Sequence, residues 1–341
     1  MALLEEKIKP LISSKGLYAN PWPEFKQPGF GAIFKWQFTR KDPLRGLTQK
    51  DLDQMIPATK VDLSKIAEKV TDGIQATWIG HSSVLIQMDG LTFLTDPVFA
   101  DRCSPLSFAG PKRYRPLPLQ LSELPPIDFV IISHDHYDHL DSSVLRHFAN
   151  NKLHDTKWFI PKGQTKYFHP EGIKNIVELD WWETAQFSES VSLTFTPAQH
   201  WSKRYATTSF DSLWGSWVVQ GPTKKVFFSG DTGYCPVFKD IGKHYGPFDF
   251  SMIAIGAYQP RELMKPQHID PEEAVKIHQD IGSKQSMGIH WGTFVLTDEP
   301  VDEPPKLTRE WMQKSNLPVE DFTVLDIGET RMFGKSLVTE I

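Results

Sequence analysis

Phe129-Val-Ile-Ile-Ser-His-Asp-His-Tyr-Asp-His-Leu-Asp141 is an apolar run that passes without a break into His134, His136, Asp138 and His139. Three histidines and two aspartates within six residues of a buried strand suit a metal centre, because neutral imidazole nitrogens and carboxylates are good zinc ligands. If the chain stays extended past the strand, the two-residue period aims His134 and His136 to one side, and a turn brings Asp138 and His139 round from another. That arrangement offers two ligand pairs for two ions. More ligands must then come from other strands. His200 in Thr196-Pro-Ala-Gln-His-Trp201, Asp231 in Phe228-Ser-Gly-Asp-Thr-Gly-Tyr234 and His290 in Met287-Gly-Ile-His-Trp-Gly292 stand where apolar runs end, and the carboxyl ends of strands are where α/β sites converge. The expected set is His134, His136 and His200 on one ion, Asp138, His139 and His290 on the other, and Asp231 bridging. Gly230 and Gly233 are expected to let the backbone at Asp231 approach an ion closely. His81 and Asp96, at the ends of early strands, are expected to support ligands rather than to be ligands.

Outward from this motif, short apolar runs bounded by Gly, Asp and Pro recur from Ile74 onward, which is a strand signal. They are 76–79, 84–88, 91–95, 129–133, 157–160, 191–196, 216–220, 225–229, 250–255, 286–289 and 322–326. Asp89-Gly90 reads as a tight hairpin turn. Helical patterns fall at 142–150, 270–281 and 306–315, the second signalled by Asp270 as N-cap, Pro271 behind it and two glutamates in its first turn. Strands mixed with helices make this an α/β chain. Residues 1–70, with Tyr18-Ala-Asn-Pro-Trp-Pro-Glu-Phe25 and a stretch lacking a clean helical period, read as an extended N-terminal arm, and 71–341 as the catalytic domain.

Composition limits the rest. The 341 residues carry 37 Lys+Arg against 42 Asp+Glu, a net charge of −5, so a dedicated nucleic-acid binder is not expected. No apolar run approaches the roughly 18 residues of a membrane span. Glu5 and Glu6 stand where a secretory leader would need a basic region followed by an apolar one, which points to an intracellular, cytoplasmic protein. Two cysteines, Cys103 and Cys235, are too few for a thiolate zinc site.

The sequence His134-x-His136-x-Asp138-His139 with His200, Asp231 and His290 resembles the metallo-β-lactamase superfamily, which implies a four-layer αββα sandwich with an N-terminal extension. Trp78-Ile-Gly-His-Ser-Ser83, Leu94-Thr-Asp-Pro-Val98, Leu213-Trp-Gly-Ser-Trp217, Gly230-Asp-Thr-Gly-Tyr-Cys235 and Gln267-His-Ile-Asp-Pro-Glu-Glu273 narrow it: they are similar to the family of N-acyl-phosphatidylethanolamine-hydrolysing phospholipases D. The resemblance runs from about Tyr18 to about Pro305. It implies a phospholipid substrate, two zinc ions, peripheral membrane contact and a homodimer. A metal-bridging hydroxide is the expected nucleophile at phosphorus, with Asp138 orienting it. His268, ahead of a helix N-terminus, is expected to donate to the phosphate or to the leaving oxygen. Tyr137, between two ligands, and Lys203, three residues after His200, are expected on the substrate side. Phe99, Phe108, Trp181, Trp182, Trp201, Trp214 and Trp217 are available for lipid contact or for core. Residues 108–117, with Lys112, Arg113 and Arg115, read as an interfacial loop. A lactonase or another phosphodiesterase on the same fold, or a silent lipid- or metal-binding protein, are the rival readings.

Overall fold

The described residues up to 70 are not simply extended. In the computed structural model, which describes residues 7–23, 25–106, 108–151, 155–205 and 208–334, a ribbon of β1 (Leu11–Ile12) and β2 (Tyr18–Ala19) is followed by three helices, α1 (Phe30–Thr39), α2 (Gln49–Met55) and α3 (Leu63–Ala67). Two of these helices carry local start signals. Thr48 and Asp51 close a capping box on α2, and Asp62 accepts from Ser64 N–H at the head of α3. The segment also joins the core, since Trp22, Leu52 and Ile56 are buried within the main apolar cluster.

Beyond residue 70 the eleven expected strands, with three more, form two seven-stranded sheets. The first contains β3 (Ile74–Gly80), β4 (Ser83–Met88), β5 (Leu91–Thr95), β6 (Phe129–Ile131), β7 (Lys157–Pro161) and β8 (Ile176–Leu179). The second contains β9 (Thr184–Gln186), β10 (Ser192–Thr196), β11 (Ser216–Gln220), β12 (Lys225–Phe228), β13 (Phe250–Ala254), β14 (Ser286–Ile289) and β15 (Phe322–Thr323). The last strand, β16 (Thr330–Phe333), returns to the first sheet, giving orders β16-β3-β4-β5-β6-β7-β8 and β15-β14-β13-β12-β11-β10-β9. Each sheet is antiparallel on one side and parallel on the other, so β6, β10, β12 and β14 can all end near one site.

Alternation along β6 shows how the layers close. Phe129 and Ile131 face the second sheet, whereas Val130 and Ile132 join Val144, Leu145 and Phe148 of α4 (Ser142–Asn150) in a separate outer cluster. On the far side, α6 (Val237–Tyr245) and α8 (Pro271–Asp280) bury Phe238, Ile241, Val275 and Ile277 against the second sheet. Short α5 (Thr165–Phe168) and α7 (Arg261–Met264), together with α9 (Glu303–Lys314), complete the helices. This is the αββα order. Asp270 accepts from Glu273 N–H as the N-cap of α8, with Pro271 at its first position. Trp181, Trp214 and Trp217 are core side chains.

The supposed interfacial loop folds inward. Arg113 and Arg115 are only 8% and 3% exposed, because Arg113 Nη2 donates to Val98 O at 2.7 Å and Arg115 Nη2 to Asp53 Oδ1 at 2.8 Å. Of its cations only Lys112 is exposed, and Phe108 is 77% exposed.

Candidate metal centre

β6 ends at Ile131, two residues before the expected position, and this short ending shapes the site. Ser133 leaves the ladder and donates its N–H to Asp96 Oδ1 at 2.7 Å and its hydroxyl to Asp96 Oδ2. The chain then turns through His134–His139, with His139 N–H returning to His136 O at 3.1 Å. His200 follows β10, Asp231 follows β12 and His290 follows β14 directly. Three non-glycine residues here, His81, Asp96 and His290, sit at φ of 54°, 34° and 62°, strained backbone of the kind that collects at functional sites.

The seven expected ligand residues converge. Ligand atoms of His134, His136 and His200 lie within 4.8 Å of one another, with His134 Nε2 to His136 Nδ1 at 2.9 Å and His200 Nε2 to His136 Nδ1 at 3.3 Å. Asp138, His139 and His290 form a second group, joined by His81. Asp138 Oδ2 is 3.5 Å from both His139 Nε2 and His290 Nε2, and 3.0 Å from His81 Nε2. Asp231 Oδ2 stands between the groups, 3.0 Å from His290 Nε2, 3.2 Å from His139 Nε2, 3.8 Å from His134 Nε2 and 3.9 Å from His200 Nε2. Outer partners orient the rings. His139 Nδ1 bonds Asp96 Oδ2 at 2.6 Å and His200 Nδ1 bonds Gln267 O at 2.9 Å, which leaves both Nε2 atoms facing inward.

Two buried, ionised carboxylates set the electrostatics among the rings. Burial works against every charge here, yet at His139 the Asp231 and Asp138 carboxylates prevail and hold the ring well above its ordinary value, and His290 is lifted to about 9 for the same reason. Asp138 and Asp231 stay well below the carboxylate range despite burial, because His139 and His290 face them. Burial lowers His136 to about 3 and His200 to about 4, so both rings are neutral. His136 Nε2, His139 Nε2, His290 Nε2, His268 Nδ1 and Asp231 Oδ1 are buried without a hydrogen-bond partner. Converging buried nitrogens and carboxylate oxygens left unpaired are costly on their own, and divalent cations such as zinc would satisfy them. The residues fit the metals that the resemblance implies.

His268 also reaches this centre. Its Nδ1 is 3.8 Å from Asp231 Oδ2, its ring is 5.3 Å from that of His290, and its side chain is 13% exposed, at the rim. Tyr137 turns aside: Arg204 lies over its ring at 4.1 Å, and both line a pocket with Ser142, Arg146 and Tyr205. The Lys203 side chain is exposed, while its N–H donates to Asp135 Oδ1 at 2.8 Å. Trp201 packs edge-on to His136 at 4.8 Å. Two neighbours escaped the sequence reading. Buried Arg204 donates to Leu140 O and Ser142 Oγ, and buried Asn20 of the arm donates to His200 O at 2.7 Å. The Lys203-Arg204 pair beside His200 was a signal for the first; no pattern marks the second. Away from the centre, His278 is buried and bonds Ser286 Oγ at 2.8 Å, whereas His154 lies outside the described residues.

Comparison with known proteins places this geometry. A β-lactamase superfamily domain model matches residues 92–291. The chain is 39% identical to N-acyl-phosphatidylethanolamine-hydrolyzing phospholipase D 1 of Caenorhabditis elegans, over 95% of this chain and 94% of that protein. It is 36% identical to the mitochondrial N-acyl-phosphatidylethanolamine-hydrolyzing phospholipase D of Saccharomyces cerevisiae, over 69% of this chain and 52% of that protein. Among solved structures, the fold is shared with an isothiocyanate hydrolase from Delia radicum gut bacteria, at a TM-score of 0.59 and 19% identity over 76% of this chain and 99% of that one. It is likewise shared with the metallo-β-lactamase fold protein YhfI of Bacillus subtilis, at a TM-score of 0.54 and 16% identity over 76% of this chain and 99% of that one. The sheets, the histidine cluster and these identities lead to one assignment: the chain is a hydrolase of the metallo-β-lactamase superfamily and belongs to the family of N-acyl-phosphatidylethanolamine-hydrolysing phospholipases D.

Proposed function

We propose that this chain is a two-zinc phosphodiesterase of phospholipase D type, which hydrolyses N-acyl-phosphatidylethanolamine to an N-acylethanolamine and phosphatidate. The observation that carries this reading is Asp231 set between two imidazole groups, with Oδ2 3.0 Å from His290 on one side and 3.8 Å from His134 on the other. His134, His136 and His200 would hold one zinc, Asp138, His139 and His290 the second, and Asp231 both. Bound there, two zinc ions would supply Lewis acidity toward phosphoryl oxygens and lower the pKa of a water. The protein's own part is orientation. Asp96 and Gln267 O fix the ring faces of His139 and His200. Asp138 is held by His81 through Oδ2 and orients the attacking water. Burial holds His268 well below its ordinary pKa, so the ring is neutral and its N–H can donate to a phosphoryl or leaving oxygen. Tyr137 and Lys203 complete the substrate side in this reading, with Arg204 behind the tyrosine ring.

The same reading makes residues 1–70 an arm on a hydrolase domain of 71–341, and the working unit a homodimer. It places the protein in the cytoplasm, at a membrane surface; no helix among the described residues is long and apolar enough to cross a bilayer. The test is metal analysis paired with turnover. Two zinc equivalents and release of phosphatidate are expected, with Asp231→Asn and His136→Ala inactive but folded. Undiminished turnover after metal stripping would overturn the mechanism, and preference for a homoserine lactone or bis-p-nitrophenyl phosphate would move the substrate to a rival class.

A further inference from the structure

α1 carries few of the local signals that start and hold a helix. It has ten residues, Gly29 provides no side-chain cap, and its first turn contains no acidic residue. A helix of that length is marginal in water unless one face is packed, yet only Trp36 is half-buried among residues 31–39, and Arg40 just beyond them. Trp36 is the mooring: its Nε1 donates to Asp298 Oδ2 at 2.8 Å, and Arg40 lies over its ring at 5.0 Å. The side of the helix away from that mooring is apolar. Ile33, Phe34 and Phe38 are 39%, 56% and 76% exposed, and the two phenyl rings pair at 4.7 Å. A contiguous exposed apolar cluster of this kind marks a surface for contact with a protein or a membrane.

Charge identifies the partner. From Phe25 to Lys41 there is no acidic residue, while Lys35 within the helix and Lys26 and Lys41 on either side of it are exposed. Apolar rings flanked by lysines suit the boundary between phospholipid headgroups and acyl chains, where the rings enter and the ammonium groups meet lipid phosphates. The location is apt as well. Asp298 lies eight residues after His290 in the chain, and Thr297 and His290 line one small cavity.

We propose that α1 lies flat on an anionic phospholipid surface, with Ile33, Phe34 and Phe38 inserted and the lysines on lipid phosphates. This role replaces residues 108–117 as the membrane-facing element, and it rests on the reading that the substrate is a bilayer lipid. The experiment is flotation of the full chain with phosphatidylcholine vesicles, with or without phosphatidylserine, for the wild type, the double variant Phe34→Glu/Phe38→Glu, and Lys35→Glu. The wild type should float with the anionic vesicles and detach as salt is raised. The double variant should partition about a hundredfold more weakly, since two phenyl rings lose their apolar environment, and Lys35→Glu about tenfold more weakly. Turnover of a short-chain N-acyl-phosphatidylethanolamine dissolved as monomers should be unchanged in both variants, while turnover of the same lipid in vesicles falls. Flotation equal to wild type, or a wild type that never floats, overturns the proposal. So does a double variant whose sedimentation changes instead, which would make a second copy the occupant. If the wild type turns over neither substrate but the variants still lose flotation, the substrate reading fails and the docking surface stands.

Discussion

Replacing Gly230 by alanine should damage both stability and the metal centre, for a reason visible in three distances. Gly230 has φ of +56°, and a Cβ there would meet Ser133 Cβ at 2.5 Å, Gly215 O at 2.9 Å and Ser133 Oγ at 3.0 Å. Carbon atoms in ordinary contact lie about 3.5–4.0 Å apart, so something must move by about 1 Å. Ser133 cannot yield cheaply, because its N–H and hydroxyl are both committed to Asp96, and its carbonyl accepts from Gly215 N–H. Overpacking of this kind costs about 1–3 kcal/mol, and the left-handed backbone about 1–2 kcal/mol more for a residue with a Cβ. The sum, about 2–5 kcal/mol, leaves a domain of ordinary stability folded. The displaced neighbour is Asp231, which must keep its place relative to His134, and a misplacement of about 1 Å at a reacting centre costs about a hundredfold in rate. Urea unfolding should therefore show the stability loss, and the soluble, folded variant should surrender metal to a chelator sooner than the wild type. Gly31→Ala is the control, since a Cβ there meets nothing within 4 Å. A Gly230→Ala protein within about 0.5 kcal/mol of wild type that also keeps its metal would refute the reasoning.

Asp96→Asn removes the charged acceptor that sits 2.6 Å from His139 Nδ1, so metal affinity measured by chelator competition should fall about 10–100-fold; equal affinity would free Asp96 of the role. His278 is pushed down to about 4, chiefly by burial, on a ring facing Ser286 and Phe322. The folded state therefore prefers the neutral ring while the unfolded chain protonates near pH 6.5, and stability is lost as pH falls from about 6.5 toward 4. Between pH 7 and 5 that loss is about 2 kcal/mol, and His278→Gln should show a urea-unfolding pH dependence weaker by that amount. If zinc at 100 times its dissociation constant saturates the folded protein, chelation should lower the unfolding free energy by about 2.7 kcal/mol, and added zinc should restore it; a melting temperature unmoved by chelation would count against a bound metal.

How much of this was readable beforehand depends on the range of the interaction. Eleven strands and the helices at 142–150, 270–281 and 306–315 announce themselves through local periodicity and caps such as Asp270, and the motif after β6 fixes where the chemistry must collect. What escaped was set by contacts distant in sequence. β8, β9 and β16 are short, their burial comes from neighbours in the sheet, and no local alternation marks them. Arg113 and Arg115 read as interfacial cations because charge next to apolar residues suits a membrane; only the fold brings Val98 O and Asp53 within reach. Gly230 and Gly233 were read as room for an ion, whereas the space they leave is taken by Ser133 and by Pro266 O. The arm shows the limit most clearly. The capping box at Thr48 and the N-cap at Asp62 were legible and passed over, but α1 lacks any such signal, and Asp298, which anchors Trp36, lies 262 residues away in sequence. A ten-residue helix without a side-chain cap draws its stability from what packs on it. Contacts made by its exposed aromatic face bear on that stability, which is why the vesicle experiment tests the folding of the arm as well as the proposed docking.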